Sequence, residues 1–156
     1  MSKPRGAALS RLAARTEAID SMLCVGIDSG LDRIPERFRR ERRPQLAFNR
    51  WIIDETHATA AAFKANTAFY EARGSAGWED LAETLAYLRG VDDAIFTICD
   101  AKRADIADTN AGYVTGLLDE LGCDAITVHP YLGAAALRPF LPVSYTHLTL
   151  PTNSRV

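Results

Sequence analysis

Asp100, Lys102 and Asp105 fall within one short segment, Asp100-Ala-Lys-Arg-Ala-Asp105, directly after the apolar run Ala94-Ile-Phe-Thr-Ile-Cys99. In an extended segment residues two apart point the same way, so Asp100 and Lys102 are expected to leave a strand on one side. A lysine between carboxylates is held as the ammonium, because opposite charges nearby favour ionisation. Such a lysine is a poor Schiff-base nucleophile and a well-placed proton donor. The pattern therefore predicts a carboxylate–lysine array that does proton chemistry on a small substrate. Lys64, with Asn66 two residues further on, is a second inward-facing candidate that can extend the array into an alternating Asp–Lys network. The competing reading is a structural ion pair; buried charges are weak evidence for stability and cluster at functional sites.

Elements of two alternating periods must position these groups. Ala7 to Asp20 has Leu9, Leu12, Ala13 and Ile19 at helical spacing. Met22 to Ile27 is a short apolar run ended by Asp28-Ser29-Gly30, which predicts a buried strand and a turn. A loop rich in charge and proline leads to Pro44, well suited to the first turn of a helix running to about Thr59. Ala61 to Asn66 is the second strand, and a connection containing Gly74, Ser75 and Gly77 leads to a helix from Trp78 to Arg89. Ala94 to Cys99 is the third strand, apolar enough to be covered on both faces. Asp105 to Leu121 is a helix closed by Gly122 in the position that favours a left-handed cap. Asp124 to His129 is the fourth strand, and Gly133 to Phe140 opens another helix.

Strand and helix in strict alternation mean parallel βα units, which close as an open doubly wound sheet or as a barrel. Polar residues stand at the carboxyl end of every strand: Asp28, Lys64 and Asn66, Asp100 and Lys102, and His129. A site assembled from consecutive strand ends is the habit of the (β/α)8 TIM barrel, whereas an open sheet gathers its ligand contacts at one switch point. No glycine-rich dinucleotide or Walker-type loop follows the first strand. The expected fold is therefore α/β, a (β/α)8 barrel truncated to about its first four βα units. Residues 1–142 form that portion of one domain, and 143–156, which contain no acidic residue and no helical period, resemble translated adaptor sequence and are expected to be a non-native tail.

Bulk properties exclude several classes. A hydrophobic fraction of 47%, a charged fraction of 24% and a net charge of −2 are those of an ordinary globular protein and give no case for nucleic acid or an anionic membrane. The basic run Arg37, Arg39, Arg40, Arg42, Arg43 is interleaved with Glu36 and Glu41 and reads as a solvated loop or helix face. Cys24, Cys99 and Cys123 lie far apart in or beside apolar runs, which predicts reduced, buried thiols in a cytoplasmic protein. No histidine pair has metal-ligand spacing; His57, Trp51 and Trp78 read as packing or surface residues, and His129 ends a strand facing the site, where position alone does not make it a ligand or base.

Asp100-Ala-Lys102-Arg-Ala-Asp105-Ile106-Ala-Asp-Thr109 resembles the Asp-x-Lys-x-x-Asp-Ile-x-x-Thr signature of the orotidine 5′-phosphate decarboxylase family, most closely its bacterial type 2 subgroup. Leu23 to Asp28, Phe63 to Glu71 and Thr127 to Gly133 are similar to that subgroup's other strand-end motifs, in the same order. The resemblance covers about Ser21 to Pro142. It implies cofactor-free and metal-free decarboxylation of orotidine 5′-phosphate to uridine 5′-phosphate. Lys102 would protonate C6, Asp100 would face the substrate carboxylate, Lys64 would join the charge network and Asp28 would bind the ribose. Asp105 and Thr109 would reach the active site of a partner subunit in a homodimer, and Asn66 and Ile106 are carried over as substrate-binding positions.

The family's later strands, which contact the pyrimidine and grip the phosphate, have no counterpart in this chain. Remote contacts normally supply the binding energy that supports the chemistry, so the chain alone is expected to be inactive, and a half-barrel with two open strand edges to fold poorly. Two other readings remain: a sister barrel lyase or aldolase that uses a divalent metal on a sugar phosphate, and a non-catalytic truncated product.

Overall fold

The computed structural model describes residues 8–141; the tail expected from residue 143 lies outside them. Helix α1 (Ala8–Ile19) precedes strand β1 (Leu23–Gly26), followed by a short helix α2 (Glu36–Arg39), α3 (Pro44–Thr56), β2 (Ala60–Asn66), a short α4 (Ala68–Glu71), α5 (Ser75–Val91) and β3 (Phe96–Arg103). Then come α6 (Ala107–Val114), a π-helical extension over Thr115–Glu120, β4 (Ala125–Val128) and a short α7 (Ala134–Leu137).

The four strands form one parallel sheet in the order β1-β2-β3-β4. The order never reverses, so there is no switch point of the doubly wound kind; consecutive neighbours are what a barrel requires. Among the described residues β1 pairs only with β2, and β4 only with β3.

Strand alternation divides the sheet into two faces. Phe63 and Ala65 of β2, Cys99 and Ala101 of β3 and Ile126 of β4 join Ile53, Leu81, Leu85, Leu88, Val114 and Leu117 in the main core between sheet and helices. The opposite face carries Ala62 and Phe96, with Ile98 and Ala125, under Ala8 and Leu12 of α1. Along that second face each strand runs from apolar to polar: Ala62 leads to Lys64 and Asn66, Phe96 and Ile98 to Asp100. Burial by α1 covers the amino ends, and the ionisable groups occupy the carboxyl ends.

The expected elements are all present, with five differences. Strand β1, expected to be buried, is mostly exposed, because among the described residues it pairs on one side only. The charged loop before Pro44 contains α2, where Phe38 packs at 5.2 Å on Phe48 and at 5.6 Å on Trp51. Ser75 and Gly77 belong to α5 rather than to a connection. Gly77 sits where a Cβ would lie 1.8 Å from the Tyr70 carbonyl oxygen, so close approach rather than chain flexibility explains this glycine. Strand β3 continues to Arg103 instead of ending at Cys99, because β4 pairs with it on both sides of an irregularity. The helix expected from Asp105 to Leu121 starts at Ala107 and turns π-helical at Thr115, with the Leu121 N–H reaching back five residues to the Gly116 carbonyl. Gly122 closes it at φ +69°, the left-handed value a side chain would oppose.

The cysteines are also distributed differently. Cys99 and Cys123 are buried and their sulfurs lie 2.8 Å apart, but Cys24 is exposed. It lies on strand β1, which pairs on one side only among the described residues.

Candidate active site

The site is a row of charges along the carboxyl ends of the strands. Asp100 is its centre, with a side chain only 13% exposed. Its Oδ1 accepts from Lys102 Nζ at 2.7 Å and from the Thr127 hydroxyl at 2.7 Å. Its Oδ2 faces Lys64 Nζ at 3.4 Å, and the same ammonium lies 3.5 Å from Asp28 Oδ2. Asp28 is steadied in turn by the Asn66 backbone N–H at 3.0 Å. The result is an alternating chain, Asp28–Lys64–Asp100–Lys102, drawn from the ends of β1, β2 and β3.

The electrostatics follow from this alternation. Burial by itself would raise the Asp100 pKa, but hydrogen bonds from Lys102 and Thr127 and the charges of Lys102 and Lys64 hold it below the ordinary carboxylate value. Burial would likewise lower the Lys64 pKa; Asp28 and Asp100 outweigh it and push the ammonium's pKa up. Asp100 is thus kept as an acceptor and Lys64 as a cation.

Lys102 occupies an unusual piece of backbone. Between the pairings Cys99 with Ile126 and Arg103 with Val128, three residues of β3 face one residue of β4. Lys102 adopts φ +48° within this bulge, a conformation that costs a non-glycine residue roughly 1–2 kcal/mol. Bulges re-aim side chains near active sites, and here the long side chain folds back onto Asp100 while remaining 64% exposed.

Asp105 is not brought into this row. Its Oδ1 takes the Ile106 N–H at 2.7 Å, its backbone N–H donates to Asn110 Oδ1 at 2.7 Å, and the Asn110 amide returns a bond to its carbonyl. The buried Asn110 also donates to the Ala136 carbonyl at 2.7 Å, fastening the turn into α6. Ile106 is 68% exposed, and Thr109 lies on α6 beyond it. Asn66 offers its backbone N–H to Asp28, while its side-chain oxygen accepts from the Ala68 N–H at 3.1 Å. Thr127, absent from the sequence-derived site, touches both Asp100 and Lys102. The sequence places it only within the Thr127 to Gly133 strand-end motif; the β3–β4 register sets it beside Asp100. Among the described residues no group of three or more His, Cys, Asp or Glu side chains is placed to hold a metal ion, and no helix is long and apolar enough to cross a membrane.

Parallel strands in sequential order, with charges at their carboxyl ends, define the class: the (β/α) barrel fold, whose functional groups gather across consecutive strand tips. The sequence model of the Orotidine 5′-phosphate decarboxylase / HUMPS family matches residues 21–148, and the chain belongs to that family. It is 45% identical over 130 residues to the orotidine 5′-phosphate decarboxylase of Christiangramia forsetii, covering 83% of this chain and 48% of that protein. The Halobacterium salinarum protein of the same name is 49% identical over 133 residues, 85% of this chain and 47% of its own length. The solved Leishmania donovani OMP decarboxylase superimposes with a TM-score of 0.73 at 33% identity, over 88% of this chain and 50% of that one. The UMP synthase of the same organism gives 0.74 at 34%, over 87% and 28%. The chain thus spans about half the length of the curated relatives it matches.

Proposed function

We propose that this chain carries the proton-transfer half of an orotidine 5′-phosphate decarboxylase, converting orotidine 5′-phosphate to uridine 5′-phosphate and carbon dioxide. The observation that carries the reading is the position of Asp100, whose two oxygens are shared between the ammonium groups of Lys102 and Lys64. Breaking the bond from C6 to the carboxylate leaves an electron pair in an sp² orbital at C6, out of conjugation with the ring. No imine-type sink can accept it. A fixed cation at that position stabilises the charge as it develops, and the Lys102 ammonium then delivers its proton to C6. Its exposure allows the resulting amine to be reprotonated from water. Asp100 orients Lys102 and, facing the substrate carboxylate, disfavours the ground state; of the two effects that lower the barrier, charge stabilisation by Lys102 has the firmer physical basis.

Asp28 and Lys64 would hold the ribose, with Asn66 and Ile106 as further substrate-binding positions. Asp105, bonded within its own turn, and Thr109, on α6, suit a role in the site of a second subunit, so the working form is taken to be a homodimer. The reaction as written uses only side chains of the chain and needs no organic cofactor or metal. The cytoplasm is the compartment that fits its thiols, all of which are free.

The test is decarboxylation of orotidine 5′-phosphate by the chain, alone and supplemented with a polypeptide matching the uncovered part of a relative. No turnover by the chain alone, and turnover by the supplemented chain that Lys102→Ala abolishes, with product-analogue binding retained and chelators without effect, is the expected result. Near-normal turnover by Lys102→Ala would sink the assignment of proton donor. Chelator-sensitive activity would favour the metal-dependent barrel lyases instead.

A further inference from the structure

We propose that Thr127 is the positioning residue of this site, fixing Lys102 and Asp100 through one hydroxyl; the proposal rests on the reading of those two as reacting groups. The β3 bulge sets Asp100, Ala101 and Lys102 opposite Thr127 alone. A bulge leaves backbone groups without ladder partners. The Lys102 N–H is one of them, and it donates to Thr127 Oγ1 at 3.0 Å. The same Oγ1 lies 2.7 Å from Asp100 Oδ1.

Donor and acceptor roles here are forced. An amide N–H can only donate, and an ionised carboxylate can only accept. The hydroxyl must therefore accept from Lys102 and donate to Asp100, which uses its one proton and orients both neighbours at once. Lys102 is held at φ +48° by a bond that valine could not make, and the Asp100 oxygen that receives Lys102 Nζ is the one the hydroxyl fixes. The two reacting groups are thereby coupled through β4, a strand that contributes no charge to the row. Thr127 is half-buried and touches neither substrate nor proton in the proposed reaction.

The experiment uses the whole chain, labelled for nuclear magnetic resonance, with Thr127→Val, Thr127→Ala and Thr127→Ser. In Thr127→Val and Thr127→Ala the Lys102 amide should exchange with solvent about tenfold faster, the loss of one net hydrogen bond. The Asp100 carboxyl should titrate at higher pH in both. Thr127→Ser keeps the hydroxyl and should stay within about twofold of wild type on exchange, with the Asp100 midpoint unmoved. Amides of β2 and β4 that remain protected verify the fold. Unchanged Lys102 exchange and Asp100 titration in a folded valine or alanine variant overturn the proposal. Should neither variant fold, the wild-type chain decides: a Lys102 amide exchanging at the open-chain rate overturns it, and a protected one lost on serine substitution does so too. None of these readouts involves turnover, so failure of the chain to decarboxylate orotidine 5′-phosphate even when supplemented with the uncovered part of a relative refutes the proposed reaction separately. Where turnover is measured, Thr127→Val should lower kcat about tenfold with KM within about twofold, the pattern of lost positioning at the reacting groups.

Discussion

Replacing Gly77 by alanine sets two effects of opposite sign against each other, and the structure decides which wins. Helix propensity favours alanine over glycine inside α5 by about 1 kcal/mol. The new Cβ, however, would stand 1.8 Å from the Tyr70 carbonyl oxygen, 2.7 Å from its carbon and 3.1 Å from Arg73 Cβ. Real contacts of this kind do not fall below 3.0 Å, so α5 must retreat by about 1.2 Å (3.0 less 1.8). Tyr70 cannot yield in its place. It is fully buried, its hydroxyl donates to the Ile27 carbonyl, and it accepts from Asn49 Nδ2 at 2.9 Å. Overpacking of this kind costs typically 1–3 kcal/mol and occasionally more. The backbone contact puts the overpacking of Gly77→Ala at the upper end, about 3 kcal/mol, and subtracting the helix gain leaves a net loss of about 2 kcal/mol. With a slope of about 2 kcal/mol per molar, the urea midpoint should fall by about 1 M or more. Gly90 in the same helix is the control, since a Cβ there meets nothing within 4 Å, and Gly90→Ala should gain up to about 1 kcal/mol. Unfolding followed by circular dichroism measures both. A Gly77→Ala midpoint at or above wild type, with Gly90→Ala behaving as expected, would refute the close-approach argument.

Two further predictions concern charge. Asp80 is 1% exposed and bonds Arg43 Nε and Arg73 Nη1, each at 2.6 Å; Asp80→Ala should cost about 3 kcal/mol, the low end for a broken buried pair because both guanidiniums keep some water contact. Glu36→Ala removes an exposed pair with Arg40 and should cost under about 0.5 kcal/mol in the same urea assay; equal losses for the two would contradict the burial argument. Stability should also depend on pH through the site. The depressed Asp100 pKa makes its contribution complete above the ordinary carboxylate range and lost as pH falls through the folded value. The raised Lys64 pKa makes its contribution complete below the ordinary lysine value of 10.5 and lost as pH rises through the folded one. Asp100→Asn should therefore flatten the acid limb of the urea midpoint against pH and lower the alkaline limit; superimposable curves for variant and wild type would count against the network.

The sequence by itself determined the barrel class and three of the strand ends that carry the charge row. Short apolar runs with polar carboxyl ends place Asp28, Lys64, Asp100 and Lys102 at corresponding heights, and strand alternation with a period of two puts Lys64 and Asp100 on one face. Gly122 and Pro44 were legible for the same reason: their backbone preferences are local. Tertiary structure alone decided the rest. Gly77 reads as a connector because glycine is a poor helix former, and only the approach of α4 explains why it stands inside α5. Arg43 reads as part of a solvated basic run until the fold sets it and Arg73 on the buried Asp80 carboxylate. The expected union of Asp105 with Asp100 and Lys102 does not form, because Asn110 clasps the turn before α6. Thr127 gains its place from a bulge, which depends on how two strands meet and not on the residues of either strand taken alone. Local periodicity fixes which way a side chain points; register and packing fix what it touches, and the proposed chemistry of Lys102 depends on the second.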